Sequence, residues 1–118
     1  MSLKKIRACA FREQHGICFY CGRPMIVSND EIPAFAKQHD LSKREACQLL
    51  ATAEHLLARS DGGGNSSDNI VAAHRVCNVR RHRSKKPKPP EVYQAFVLSR
   101  CNKGKWHSAK VLRIQPEP

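Results

Sequence analysis

Two features are scarce in this 118-residue sequence: long apolar runs and aromatic side chains. No apolar stretch approaches the roughly 20 residues that a membrane-spanning helix needs. The first seven residues also lack the apolar stretch of a signal peptide. We therefore expect a cytoplasmic protein with no membrane contact. Aromatic residues make up only 6% of the chain. A bound metal ion would therefore add stability to a core that has few bulky side chains.

Acidic residues are scarce in the second half of the chain. Residues 70–118 contain 12 lysines and arginines against 2 acidic residues, whereas residues 1–69 contain 9 against 8. The net charge of +11 therefore lies almost wholly in the second half. A one-sided positive field attracts polyanions, whereas a purely solubilising surface usually mixes both signs. The charge pattern thus predicts a nucleic-acid partner.

The cysteines are spaced for metal binding. In a reducing compartment, six cysteines favour metal ligation over disulfides. Cys18 and Cys21 form one pair, and His74 and Cys77 form a second pair with the same spacing. Two such pairs are typical of a tetrahedral zinc site. We predict one structural zinc ion held by these four residues, and we expect the other three cysteines to pack inside helices.

Periodicity in the first half predicts mainly helices. The expected elements are a helix over 3–15, a strand over 17–22 entering a zinc knuckle, a return strand over 25–27 and an inserted helical hairpin within 28–51. Ser42 and Glu45 fit a capping box for the second helix of that hairpin.

The second half predicts a strand, a loop, a strand and a helix. The expected ranges are a strand over 52–57, a glycine-rich loop over 58–68, a strand over 70–73 and a helix over 75–84. A further helix near 92–97 and a short strand over 111–114 should follow.

Glu54 and His55 suggest phosphodiester chemistry. Hydrolysis of a phosphodiester needs a base for the attacking water and a cation for the developing charge. His55 is the candidate general base, since a histidine is largely neutral at cellular pH. The oxygens of Glu54 and Asn78 suit Mg²⁺ or Mn²⁺. His82, one helical turn after Asn78, would add an imidazole and extend the choice to a transition metal such as Ni²⁺.

Two geometric conditions apply to this candidate site. Neighbours on an ideal strand point to opposite faces, so Glu54 and His55 reach one substrate only if the strand ends or twists there. Asn69, at the loop exit, can hydrogen-bond to backbone across the loop and hold the segment carrying His55. We therefore group Asn69 with His55, Glu54 and Asn78 as the catalytic set.

Basic residues around the site are candidates for phosphate contacts without sequence choice. The predicted set comprises Arg59, Arg80, Arg81, Arg83, Lys85, Lys86 and Lys88. Trp106 could stack on an exposed base, but a single tryptophan is more often a core residue, which we expect here.

Together these motifs resemble those of the HNH nucleases built around a zinc-binding treble clef. The resemblance is carried by Cys18xxCys21-Gly22, Glu54-His55, Asp68-Asn69 and His74xxCys77-Asn78xxArg81. It implies an α+β fold in which a ββα-metal (His-Me finger) core sits on the treble clef, and Mg²⁺-dependent cleavage or nicking of DNA. It also implies that His55 is the base, that Asn69 steadies the loop and that Asn78 binds the metal. His82 resembles the additional histidine of colicin-type members.

The chain departs from the family pattern at three positions. Glu54 stands where aspartate is usual, Asn78 stands where many members have histidine, and His74 stands where cysteine is usual among the zinc ligands. The predicted organisation is a single nuclease domain over 1–118, with a helical insertion (28–51), the ββα-metal core (52–84) and a basic C-terminal extension (85–118).

Two other functions are compatible with the same residues. One is a catalytically silent zinc-containing module that only binds nucleic acid, and the other is an RNase with the same site. The joint presence of His55, Asn69 and Asn78 favours the nuclease, because binding alone requires none of them. The sequence does not distinguish a monomer from a homodimer.

Overall fold

The computed structural model describes residues 1–116 and shows an α+β fold. Its helices and strands are α1 (Leu3–Glu13), α2 (Ile32–His39), α3 (Lys43–Cys47), β1 (Ala51–His55), β2 (Ile70–His74), α4 (Arg75–Arg81), α5 (Pro90–Asn102) and α6 (Ala109–Leu112). The last two residues of the predicted 85–118 extension lie outside the described residues. Over residues 1–116, no helix is long and apolar enough to cross a membrane.

The strand–loop–strand–helix unit predicted over 52–84 is confirmed. Strands β1 and β2 pair antiparallel, with Ala51 opposite His74 and His55 opposite Ile70. Helix α4 begins at the residue after β2, so it packs across the end of the two-stranded sheet. A short 3₁₀ turn at Arg59–Asp61 lies in the loop between the strands.

The free edge of β2 is closed by a side chain. The amide of Gln14 accepts a hydrogen bond from Ala72 N at 2.9 Å and donates to Ala72 O at 2.8 Å. The amide group thereby replaces a neighbouring strand and satisfies the exposed edge. This contact anchors the C-terminal end of α1, which was predicted correctly, against the sheet.

The two strands predicted over 17–22 and 25–27 are wrong. Only isolated bridges form there, between Ile17 and Pro24 and between Ile26 and Leu50. The chain instead turns tightly, because Gly22 adopts a left-handed φ of +72° and donates its N–H to Cys18 O at 3.0 Å. Glycine enters that region without the steric cost of a Cβ, and the turn brings Cys18 and Cys21 onto the same side.

The predicted helical hairpin of the insertion is confirmed as α2 and α3. The Ser42 and Glu45 capping box at the start of α3 is present in both directions, at 3.0 Å each. These helices pack on each other and line a second apolar cluster, which includes Ile32 and Leu49.

The strand predicted over 111–114 is wrong, since this segment contains α6. Ser108 caps the helix by accepting a hydrogen bond from Val111 N at 3.3 Å. Val111, on α6, and Ile114, two residues after the end of α6, are both buried in the second apolar cluster. The C-terminal segment thus covers the insertion.

Candidate active site and metal centre

The four predicted zinc ligands converge at one point. The ligand atoms of Cys18, Cys21, His74 and Cys77 all lie within 4.8 Å of one another, and all four side chains are buried. A tetrahedral zinc ion would place such atoms about 3.6–3.8 Å apart, given its usual bond lengths. The cluster therefore needs only small adjustments of these distances to hold the ion.

Neighbouring groups orient these ligands toward a common centre. The Nε2–H of His74 donates to Pro24 O at 2.8 Å, so Nδ1 faces Cys21 Sγ at 3.1 Å. The backbone N–H of His74 donates to Cys18 Sγ at 3.3 Å, and the indole N–H of Trp106 donates to Cys77 Sγ at 3.4 Å. Such outer hydrogen bonds hold metal ligands in their binding orientation.

The protonation of the cluster is uneven. Burial alone would raise the pKa of Cys18. Hydrogen bonds from Cys21 and Cys77 and the charge of His74 outweigh this effect, so the pKa lies well below its usual range. Burial lowers the pKa of His74, yet the Cys18 thiolate raises it to about 10. Burial and the hydrogen bonds from Cys18 and Cys21 raise the pKa of Cys77. A bound zinc ion would therefore displace the protons of His74 and Cys77.

A separate cleft of about 260 Å³ opens at the end of β1. It is lined by Glu54, His55, Ala58, Arg59, Ser60, Asn78 and His82. Because β1 ends at His55, the strand no longer forces Glu54 and His55 to opposite faces, and both side chains reach this cleft. The structure thus brings four of the predicted catalytic and metal-binding residues together with Arg59, a predicted phosphate contact.

Glu54 is a buried carboxylate, 1% exposed, with every oxygen in use. Its Oε2 accepts hydrogen bonds from the Tyr20 hydroxyl at 2.8 Å and from Arg81 Nη1 at 3.2 Å. Its Oε1 lies 2.8 Å from His82 Nε2. Burial, followed by the charge of Glu54, raises the pKa of Tyr20 far above its ordinary value, so this hydroxyl stays a donor. Oε2 is held by two donors, whereas the partner of Oε1 is His82, itself a candidate metal ligand, so Oε1 is the oxygen that would share a bound ion with His82.

Asn78 is tied to β1 by its amide nitrogen. Its Nδ2 donates to Thr52 Oγ1 at 3.2 Å and to Ala53 O at 3.3 Å. Within the described residues, its Oδ1 takes part in no hydrogen bond. An amide oxygen held in this way, beside the carboxylate of Glu54 and the imidazole of His82, provides the mixed oxygen and nitrogen donors that suit Mg²⁺, Mn²⁺ or a transition metal.

His55 is oriented by the loop between the strands. Its Nε2 lies 2.8 Å from Asn65 Oδ1, while Arg59 Nε approaches the same nitrogen at 3.2 Å. One ring nitrogen cannot donate and accept at once. We assign the proton to Nε2 from the shorter contact, so that Nε2 donates to Asn65 Oδ1 and accepts nothing from Arg59. This tautomer leaves Nδ1 with the lone pair that a general base requires.

Asn69 bridges the two ends of that loop. Its Oδ1 accepts from Leu57 N at 2.9 Å, and its Nδ2 donates to Leu57 O at 3.1 Å and to Gly64 O at 2.9 Å. This is the placement the sequence predicts. The two residues that Asn69 joins, Leu57 and Gly64, lie between His55 and Asn65 along the chain. The bridge therefore helps to hold His55 and Asn65 in contact.

Arg81 has a different place from the one predicted. It is 5% exposed, and its guanidinium donates to Glu54 Oε2, to the carbonyl oxygens of His55 and Leu56, and to Lys88 O. With its donors occupied, Arg81 cannot contact nucleic acid and instead ties the end of β1 to the following segment. The other predicted contacts Arg59, Arg83, Lys85, Lys86 and Lys88 are exposed, and Arg80 is half-buried.

Sequence reasoning missed Tyr20 and Asn65, and it gave Arg81 a different role. Tyr20 and Arg81 support Glu54, and Asn65 orients His55. Arg81 could have been found from helical spacing, since it follows Asn78 by three residues and so shares its face. Tyr20 gives only a weak signal, namely a tyrosine inside the zinc knuckle, and Asn65 gives none.

The chain matches a known protein family. A model of the family described as HNH endonuclease matches residues 18–84, which is more than half of the chain. Neither the curated proteins nor the solved structures contain a match.

Proposed function

Since the chain belongs to the HNH endonuclease family, we propose that it is a metal-dependent endonuclease that hydrolyses DNA phosphodiester bonds. The observation that carries the proposal is the single cleft shared by Glu54, His55, Asn78 and His82. A module that only binds nucleic acid needs no general base beside a set of metal donors. The one-sided positive charge of the second half supports a polyanionic substrate.

The residues of the cleft take separate roles in this proposal. His55 Nδ1 accepts a proton from the attacking water, while Asn65 keeps Nε2 protonated. The exposed Arg59 lies beside His55 and contacts the scissile phosphate. Glu54, Asn78 and His82 hold the divalent ion, either Mg²⁺ or Mn²⁺, with Ni²⁺ as a further choice. This ion would neutralise the charge that develops on the phosphate and the leaving oxygen.

The Cys18, Cys21, His74 and Cys77 cluster has a structural role in this proposal. Four protein ligands complete the tetrahedral coordination of a zinc ion and leave no open position for substrate. Tyr20 lies between the first two ligands and also donates to Glu54, so the zinc knuckle supports the catalytic carboxylate. In this proposal the zinc ion therefore stabilises the fold, whereas the second ion takes part in hydrolysis.

Plasmid relaxation tests the proposal. Wild type and His55→Ala are compared with zinc retained and with Mg²⁺, Mn²⁺, Ni²⁺ or EDTA added in turn. His39→Ala, at the end of α2 and outside the cleft, is the matched control. We expect metal-dependent cleavage by wild type and His39→Ala, and none by His55→Ala.

Two outcomes would change the conclusion. Equal DNA binding with no cleavage by any variant under any metal would establish the silent module, and RNA would be the next substrate to try. Cleavage retained by His55→Ala would mean that another group is the base.

A further inference from the structure

A second cavity, of about 160 Å³, shares no lining residue with the catalytic cleft. It is lined by Arg80, Arg81, Ser84, Lys86, Lys88, Tyr93, Phe96 and Trp106. We call it the aromatic pocket. It combines basic and aromatic side chains, whereas the catalytic cleft has no aromatic lining. Nothing in the proposed cleavage chemistry uses it.

Two aromatic rings form adjacent walls of this pocket. The rings of Phe96 and Trp106 are perpendicular, with centroids 6.0 Å apart, and Tyr93 packs against both from the buried side. Helix α5 buries Tyr93 and Val97 in the core but leaves Phe96 41% exposed. The core therefore does not account for Phe96, whose ring presents a face to solvent.

Cations lie over both rings. The Arg80 guanidinium lies 4.8 Å from the Trp106 ring centroid and donates to Trp106 O at 2.7 Å, and Lys88 Nζ lies 5.2 Å from the Phe96 centroid. Within residues 1–116, neither cation forms a salt bridge with a carboxylate. Arg80 is fixed by its hydrogen bond, whereas the flexible Lys88 can move aside and leave the Phe96 face open.

The pocket adjoins the catalytic cleft through one buried side chain. The Arg81 guanidinium donates to Glu54 and the His55 carbonyl on one side and to Lys88 O on the other. A strand with its scissile phosphate at His55 would run along this segment toward the aromatic pocket. An exposed ring flanked by unpaired cations is the combination that binds single-stranded nucleic acid, because the ring stacks on a base and the cations contact phosphates.

We propose that the aromatic pocket binds one unpaired base of the DNA substrate, stacked on Phe96 against Trp106, with Arg80 and Lys88 on the flanking phosphates. This deepens the proposed function and rests on it, because the strand that enters the pocket is the one the cleft would cut. The pocket gives the enzyme a preference for DNA with an unpaired nucleotide beside the cleavage point.

Direct binding tests this without requiring cleavage. His55→Ala serves as the background so that no strand is cut, and the fluorescence anisotropy of end-labelled strands reports binding. The probes are a short oligothymidylate, an abasic strand of equal length and charge, and a duplex. Phe96→Leu removes the ring but keeps an apolar side chain. Leu98→Ala, a similarly exposed α5 position outside the pocket, is the matched control.

We expect the background protein and the Leu98→Ala variant to bind oligothymidylate about tenfold more tightly than the abasic strand, as one base–aromatic stack would give. The Phe96→Leu variant should bind both strands equally, and duplex affinity should be the same in all three proteins. The proposal would be overturned if the Phe96→Leu variant kept the same preference for the strand with bases. It would also be overturned if this variant lost as much affinity for the abasic strand as for oligothymidylate. Either result would leave the plasmid assay to decide the nuclease function independently.

Discussion

Replacement of Tyr20 by phenylalanine isolates the link between the zinc knuckle and the catalytic carboxylate. The substitution removes one hydroxyl and keeps the ring, which is fully buried and packs edge-on against Tyr93. What is lost is the 2.8 Å hydrogen bond to Glu54 Oε2, which then retains only Arg81. Tyr93→Phe is the matched control, because its equally buried hydroxyl donates at 2.7 Å to Cys77 O, away from the cleft.

The structure sets different magnitudes for the two variants. A hydrogen bond to a charged group contributes about 1.5–3 kcal/mol, against about 0.5–1.5 kcal/mol for a neutral acceptor. Tyr20→Phe should therefore lower the free energy of unfolding more than Tyr93→Phe. Loss of a group that orients a metal ligand also weakens metal affinity by about tenfold or more. Only Tyr20→Phe should weaken the binding of a catalytic ion.

Two measurements on zinc-loaded protein test these expectations. Urea unfolding followed by circular dichroism gives the free energies, and electron paramagnetic resonance of free Mn²⁺ gives the affinity of the second site. The reasoning is refuted if Tyr20→Phe and Tyr93→Phe bind Mn²⁺ equally well. A stability loss without a change in Mn²⁺ affinity would restrict Tyr20 to a packing role.

Three further predictions follow from the same geometry. Zinc affinity should rise at least about a hundredfold per pH unit between about pH 6 and 8, because zinc binding releases at least the protons of His74 and Cys77; competition with a chromogenic chelator measures this, and a flat profile would contradict it. Gly63→Ala should reduce cleavage about a hundredfold by displacing the loop that positions the base, since an added Cβ would lie 1.7 Å from Leu57 O, whereas Gly64→Ala meets nothing within 4 Å and should be active. Six of the seven predicted phosphate contacts remain once the buried Arg81 is excluded. If each of the six contacts a phosphate, raising salt from about 50 to 200 mM should weaken DNA binding about a thousandfold. Titration by fluorescence anisotropy measures this, and a shallower dependence on salt would mean fewer contacts.

Features that depend on short spacing could be predicted from the sequence. The two zinc-ligand pairs each span one turn of chain, and Asn78 and His82 are one helical turn apart, so local geometry alone brings each pair together. The loop bridge of Asn69 likewise follows from its position at the exit of a glycine-rich segment. The family resemblance depends on these same local patterns, and the match over residues 18–84 bears it out.

Side-chain partners that depend on packing between distant segments and belong to no motif could not be predicted. Tyr20 lies 34 residues from Glu54 and Arg81 lies 27 residues from it, so their shared hydrogen-bond network exists only once the knuckle, β1 and α4 are assembled. For the same reason Arg81, which we expected to contact phosphate, is buried and donates its hydrogen bonds within the protein.

The short C-terminal segment shows the same limit. Val111 and Ile114 are apolar and β-branched, a composition that favours a strand. The Ser108 cap and the apolar surface of the insertion decided for a helix instead. The sequence by itself determined the ligand types and the family, because those depend on residue identity and local spacing. Only the tertiary structure decided which side chains support Glu54 and His55, because burial and long-range contacts set those partners.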